Sequence, residues 1–173
     1  KTSNKILRSE ASNRFEKGID PKRTYMAIER SCHLLEKYAD AETDLTEAIR
    51  LSVRNAGLFI NRALARYYQN NLRGAMQDYD FALDIDRNNF IGHYNRGLLR
   101  AQVGDDNRAI EDFDFVLKVE PDNMMAIFNR GLLRDKTGDY SGAIEDYTAV
   151  IDEYPNFLTG YQYRAQARRK IGD

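Results

Sequence analysis

Arginine and aspartate carry the most chemistry in this chain, because their spacing is regular. Arg62 and Arg66, Arg96 and Arg100, Arg130 and Arg134, and Arg164 and Arg168 form four pairs, each spaced i,i+4. Residues four apart share one face of a helix. Asp44, Asp78, Asp112 and Asp146 recur at the interval of the pairs, 34 residues, with Asp80 and Asp114 close by. A guanidinium fork meets a carboxylate through two parallel hydrogen bonds, which an ammonium cannot do. The expected arrangement is a helix-to-helix ladder of Arg62, Arg96 and Arg130 with Asp78, Asp112 and Asp146, within or between repeats. Such pairs fix register more than they add stability. A second use for the same arginines is a face that binds phosphate or carboxylate groups.

The other reactive side chains are not spaced for catalysis. Cys32 and His33 are adjacent. On a helix they point about 100° apart and make no nucleophile–base pair. His93 shares no column with His33, and partial burial is its expected state. No His and Cys set has the spacing of a zinc site. The run Asp84-Ile85-Asp86-Arg87-Asn88-Asn89 imitates the opening of a calcium loop. Asn89 stands where that loop needs glycine, and Asn95 where it needs a bidentate glutamate. The run reads as a helix end and its turn. No enzymatic activity, no metal and no cofactor are expected.

The elements that must position the arginines are written in the same period. Asn95-Arg96-Gly97-Leu98-Leu99-Arg100 returns unchanged as Asn129-Arg130-Gly131-Leu132-Leu133-Arg134. Weaker copies start at Asn61 and Tyr163. Small residues recur at Ala41, Ala75, Ala109 and Ala143, and large ones at Leu45, Tyr79, Phe113 and Tyr147. Ala48, Ala82, Val116 and Val150 follow. Apolar positions 143, 144, 147, 150 and 151 have the spacing of one buried helical face. Gly104 and Gly138 suit left-handed helix ends. The aspartates after them suit helix caps. Pro121 and Pro155 suit a helix start or a link between helices. A fixed period of this length marks a stacked array of helix pairs.

Composition agrees and narrows the function. The chain is 42% hydrophobic and 31% charged, with a net charge of −1. That suits a helix-rich folded protein. It gives no single-sign stripe for nucleic acid. No apolar run has the length of a membrane span. Cys32 is the single cysteine, so no internal disulfide forms. The chain starts at Lys1 and stops part-way through a repeat, which reads as a piece of a longer protein. Its compartment is therefore left open.

Asn-Arg-Gly, then Gly138-Asp139-Tyr140, then Ala143-Ile144-Glu145-Asp146-Tyr147, then a proline, resembles the tetratricopeptide repeat. The resemblance covers residues 22–173. It implies an all-α fold, a right-handed superhelical array of antiparallel helix pairs. The repeats are expected at 22–55, 56–89, 90–123 and 124–157, with the first helix of a fifth at 158–173. Residues 1–21 hold an N-terminal helix outside the recognisable repeats, over about 3–17.

The resemblance further implies a concave groove, lined by the first helices, that holds a peptide or helix of a partner protein. By helical geometry the groove residues are Ile60, Asn61, Leu64, Tyr67, Tyr94, Asn95, Leu98, Phe128, Asn129 and Leu132. They form an apolar trough edged by amides. The leucines serve equally well as core, in which case the array is a structural spacer with no groove ligand. One subtype of the family clamps an acidic chaperone C-terminus with lysines and asparagines. Ile60, Tyr94, Phe128 and the leucines stand where that clamp needs them, which argues against that subtype. Tyr161 and Ala165 on the last helix are expected to be sticky and to support weak self-association.

Overall fold

The computed structural model describes residues 21–172, with side chains from residue 36 onward. The described residues form eight helices. We label them α1 (Pro21–Leu51), α2 (Ala56–Tyr68), α3 (Leu72–Ile85), α4 (Phe90–Val103), α5 (Asp106–Val119), α6 (Met124–Thr137), α7 (Tyr140–Glu153) and α8 (Leu158–Ile171). Each packs on the next in sequence, and α4 also touches α6 as α6 touches α8. The first helices of successive pairs thus form one layer. The second helices, α3, α5 and α7, form the other.

Local chemistry sets the ends. Asn55, Asn71, Asn89 and Asn123 each accept a hydrogen bond from a backbone N–H in the first turn of the helix they precede. Asp139 does the same for Gly142 N, at 3.0 Å. Asp105, expected as a cap, makes no such bond. Its carboxylate lies 3.6 Å from Arg108 instead. Gly104 and Gly138 close α4 and α6 at φ 85° and 93°, and Asn70 takes that place after α2 at φ 62°. Pro121 and Pro155 lie in the links after α5 and α7, outside the helices.

The first unit departs from the expected pair. Residues 21–51 are one unbroken helix. The reason lies at the position of Gly104-Asp105, Gly138-Asp139 and Asn70-Asn71. There this unit carries Glu36-Lys37. Both are good helix formers, and neither favours a left-handed stop. Only the second half of α1 carries the repeat columns. The helix expected within residues 1–21 lies outside the described residues, as do the side chains of Cys32 and His33.

The core follows the columns. Ala75, Ala109 and Ala143 are fully buried, and Tyr79, Phe113 and Tyr147 are nearly so. Small residues opposite large ones let the two layers approach closely. Gly97 shows how closely. A methyl group placed there would sit 3.2 Å from Asp112 Cβ and 3.3 Å from the Phe113 ring. Ala41, Leu45 and Ala48 occupy the same columns in α1 but are only half-buried.

Candidate functional site

The seam between the two layers is charged. Arg62 reaches Asp78 through Nη2–Oδ1 at 2.7 Å and Nε–Oδ2 at 2.9 Å. Arg96 and Asp112 repeat this geometry at 2.7 and 3.1 Å, and Arg130 and Asp146 at 2.6 and 3.0 Å. The second arginine of each pair adds a bond to the same carboxylate: Arg66 at 2.9 Å, Arg100 at 2.7 Å and Arg134 at 3.0 Å. The three aspartates are buried. A buried carboxylate needs this many donors to offset its lost hydration.

The third arm of each leading arginine points backwards, to the preceding repeat. Arg96 Nη1 donates to Asp80 Oδ1 at 2.9 Å, and Arg130 Nη1 to Asp114 Oδ1 at 2.7 Å. At the two ends threonine replaces the acid. Arg62 Nη1 donates to Thr46 Oγ1 at 3.3 Å, and Arg164 Nη1 to Thr148 Oγ1 at 3.2 Å. Each leading arginine is therefore a clamp between neighbouring repeats. The sequence signal for the threonines is that Thr46, Asp80, Asp114 and Thr148 share one 34-residue column.

The charges respond as this geometry requires. Burial alone would raise the Asp112 carboxyl. Hydrogen bonds from His93 and Arg96 and the charges of Arg96 and Arg100 outweigh it and hold the group below the ordinary aspartate range. Arg62 is raised, chiefly by its bond to Asp78. Arg96 and Arg130 are raised despite burial, by their paired aspartates.

His93 is part of this seam. Its Nδ1 lies 2.8 Å from Asp112 Oδ1 and its Nε2 3.0 Å from the Arg87 carbonyl. Its ring stacks on Phe115 with centroids 3.9 Å apart. Both nitrogens are thus occupied in holding α4 to α5 and to the turn before it. In that turn, Asp86 accepts bonds from Asn88 N and Asn89 Nδ2. Asn89 Oδ1 caps α4.

The expected groove residues separate into three groups. Ile60 is buried. Tyr94 and Phe128, in the same column, are half-buried because their rings pack inwards. Tyr94 meets Phe113 edge-on at 5.8 Å. Phe128 lies 5.2 Å from Phe157, 5.8 Å from Tyr163 and 5.9 Å from Tyr147. Tyr67, half-buried, meets Tyr68 edge-on, and Tyr68 stacks on Tyr38 of α1 at 4.5 Å.

The second group stays open. Leu64 and Leu98 are each 37% exposed, and Leu132 is half-buried. Beside them lie two residues that sequence reasoning missed, Ile91 and Met125, 48% and 64% exposed. The signal was present, since Ile91 and Leu98, like Met125 and Leu132, stand seven apart and share a helix stripe.

The third group is the amides. Asn61 is exposed, and Asn95 and Asn129 are half-buried. Asn129 Nδ2 donates to Met125 O at 2.8 Å and to the Tyr94 hydroxyl at 3.3 Å. Burial raises the Tyr94 hydroxyl, and the Asn129 bond opposes that. The bond links α6 to α4 and fixes the amide plane of Asn129. Its carbonyl accepts nothing from the described residues.

A profile described as a TPR repeat matches residues 63–104, and one described as a tetratricopeptide repeat matches residues 94–156. The chain belongs to the tetratricopeptide repeat family. A solved tetratricopeptide repeat protein from Parabacteroides merdae is similar, with a TM-score of 0.73 and 25% identity, over 84% of this chain and 59% of that one. MamA from Desulfovibrio magneticus has the same fold, with a TM-score of 0.75 and 19% identity, over 90% and 88% of the two chains. Among curated proteins, the phenylalanine–tRNA ligase beta subunit of Geobacillus kaustophilus is 64% identical over 36 residues. That match takes in 21% of this chain and only 4% of the ligase subunit. It is about the length of one repeat. As a tetratricopeptide repeat protein, the chain is in general character a protein-interaction scaffold. Among the described residues no helix is long and apolar enough to cross a membrane.

Proposed function

We propose that the open stripe on α2, α4 and α6 holds an apolar segment of a partner protein. Leu64, Leu98 and Leu132, with Ile91 and Met125, would receive its side chains. Asn61, Asn95 and Asn129 would hydrogen-bond its backbone. Ile60, Tyr67, Tyr94 and Phe128 form the floor beneath them. The observation that carries this reading is the Asn129 amide, oriented by Tyr94 and Met125 with its carbonyl left to accept. A peptide backbone N–H is the natural donor for an acceptor fixed in this way. An oriented amide also loses less conformational freedom on binding than a mobile one.

A second reading is a spacer whose first-helix face serves packing alone. The inward turn of Ile60, Tyr94 and Phe128 supports it. A displayed peptide library separates the two. Peptides selected on the wild-type chain are expected to lose binding to Leu98→Glu and Met125→Glu, both exposed sites. Weaker loss is expected with Asn129→Ala. Selection that yields nothing, or peptides indifferent to all three changes, supports the spacer.

A further inference from the structure

The second-helix layer carries a pattern that the groove does not use. Arg50, Asp84, Lys118 and Asp152 stand in one 34-residue column, on α1, α3, α5 and α7. Each follows a residue of the small column, Ala41, Ala75, Ala109 or Ala143, by nine positions. Nine steps of about 100° come to half a turn, so these side chains point directly away from the core. All four are exposed. Their charges alternate along the array: plus, minus, plus, minus. Among the described residues Asp84, Lys118 and Asp152 make no ion pair, and Arg50 reaches only Glu47 on its own helix, at 2.9 Å.

Beside this column runs an apolar one. Leu51, Ile85 and Val119 directly follow Arg50, Asp84 and Lys118 and are exposed, and Phe81 joins them one turn earlier on α3. An apolar stripe on the surface, edged by charges, marks a contact face.

The alternation selects what fits there. Take a second copy of the same face, turned about a twofold axis parallel to the helices and midway between α3 and α5. It meets the column in reverse order. Arg50 faces Asp152 of the second copy, and Asp84 faces Lys118, so every charge in the column meets its opposite. An axis moved onto α3 or α5 would instead set Asp84 against Asp84, or Lys118 against Lys118. The neighbouring columns favour the same axis. Ile85 faces Val119, and Phe81 faces Phe115. Glu111 and Glu145, two further outward acids, face Gln77 and Thr43 rather than each other. Asp80 and Asp114 point along the array to Arg96 and Arg130 and take no part. The mismatched pair Glu153 and Leu51 falls at the rim, where solvent reaches both.

We propose that two copies of this chain associate back to back through α3 and α5, as a closed twofold dimer. First helices touch along the array, α4 to α6 and α6 to α8, so the second-helix layer is the outer, convex one. Two convex faces meet mainly at their centres. That brings together Asp84, Lys118, Ile85, Val119 and Phe81, and leaves Arg50 and Asp152 to steer the approach. A contact this small is below the size of a stable interface, so association is weak and depends on concentration. The first-helix faces of both copies stay free.

Sedimentation equilibrium on the full chain over a wide concentration range tests this. The average mass is expected to rise towards that of a dimer and level off there, and to fall with added salt. Asp84→Lys and Lys118→Asp should each weaken association at least about tenfold, because each sets two like-charged pairs across the axis. Circular dichroism should show both variants folded, since neither side chain is in the core. An equal mixture of the two should regain dimer, as a heterodimer. A chain carrying both changes should regain it alone, because opposite charges face each other again. A monomer at every concentration would overturn the proposal, and so would growth past a dimer. Association that neither change weakens would place the contact elsewhere, the α8 edge around Tyr161 included, and would overturn it too. Failure of either rescue would do the same. None of these results bears on the groove.

Discussion

Arg96 holds Asp112 by two atoms and Asp80 by a third, so one side chain joins α4, α5 and α3. Asp112 is buried at 2% exposure, while Asp80 is at the surface. The two bonds inside the repeat are the desolvated ones and dominate the energetics. The third is a surface contact worth about 1 kcal/mol or less, whose effect is mainly to set repeat against repeat. Arg130 does the same between Asp146 and Asp114.

The two partners of the buried pair should not contribute additively, because removing one leaves the other buried and unpaired. Arg96→Ala leaves Asp112 short of two donors and is expected to cost about 3–5 kcal/mol of unfolding free energy. Asp80→Ala is expected to cost about 1 kcal/mol or less. The double variant Arg96→Met with Asp112→Leu should cost less than the sum of its single changes, because no unpaired carboxylate remains. Urea unfolding of the five variants, the single changes Arg96→Met and Asp112→Leu among them, measures all of this.

The same site predicts how stability depends on acid. Asp112 is held below its unfolded value, so folding binds fewer protons there than the unfolded chain does. Its contribution is complete above the unfolded carboxylate range, about pH 4, and is lost as pH falls through the lower folded value. Glu42 acts in the same direction, lowered chiefly by its hydrogen bond from Arg66. Unfolding free energy should be flat near neutrality and fall steeply below about pH 4. Asp112→Asn should reduce the acid slope while lowering stability at neutral pH. An unchanged slope in that variant would mean that other carboxylates govern acid unfolding.

How much of this was legible in the chain depends on what each feature rests on. The rung from Arg96 to Asp112 is visible because two 34-residue columns stand sixteen positions apart on facing helices. The 34-residue period does not reveal the single helix at residues 21–51, because the unit's stop positions hold Glu36-Lys37, which belong to a helix interior. In the sequence, helical angle alone defines the groove stripe. Angle cannot say which residues a neighbouring repeat covers. Phe128 packs against Tyr147 and Phe157 of its own unit and Tyr163 of the next, whereas Leu98 in the same trough remains open. Met125 is exposed on the first turn of α6, a position set by where Asn123 begins the helix.

Two aspartates in one column should behave differently as caps. Asp139 accepts from Gly142 N at 3.0 Å, while Asp105 caps nothing and faces Arg108 in solvent. Asp139→Ala is expected to cost about 1 kcal/mol. Asp105→Ala should cost only a few tenths, roughly the worth of an exposed ion pair. Thermal unfolding of both variants checks the contrast. Equal losses would show that Asp105 caps α5 in solution.

The turn after α4 offers the cleanest backbone test. Gly104 sits at φ 85°, and space for a side chain is not the obstacle, because no atom lies within 4 Å of a methyl group placed there. The cost of Gly104→Ala is therefore conformational, about 1–2 kcal/mol for an L-residue in the left-handed region. Asn70 occupies the same place after α2 at φ 62°, so the array itself shows that asparagine accepts this conformation. Gly104→Asn should recover about half or more of the loss, since its short side chain bonds the local backbone. If alanine and asparagine proved equally costly in chemical denaturation, the loss would have to come from a contact at Gly104 rather than from φ. If neither cost anything, the turn would be free to rearrange, and Gly104 would not be what stops α4.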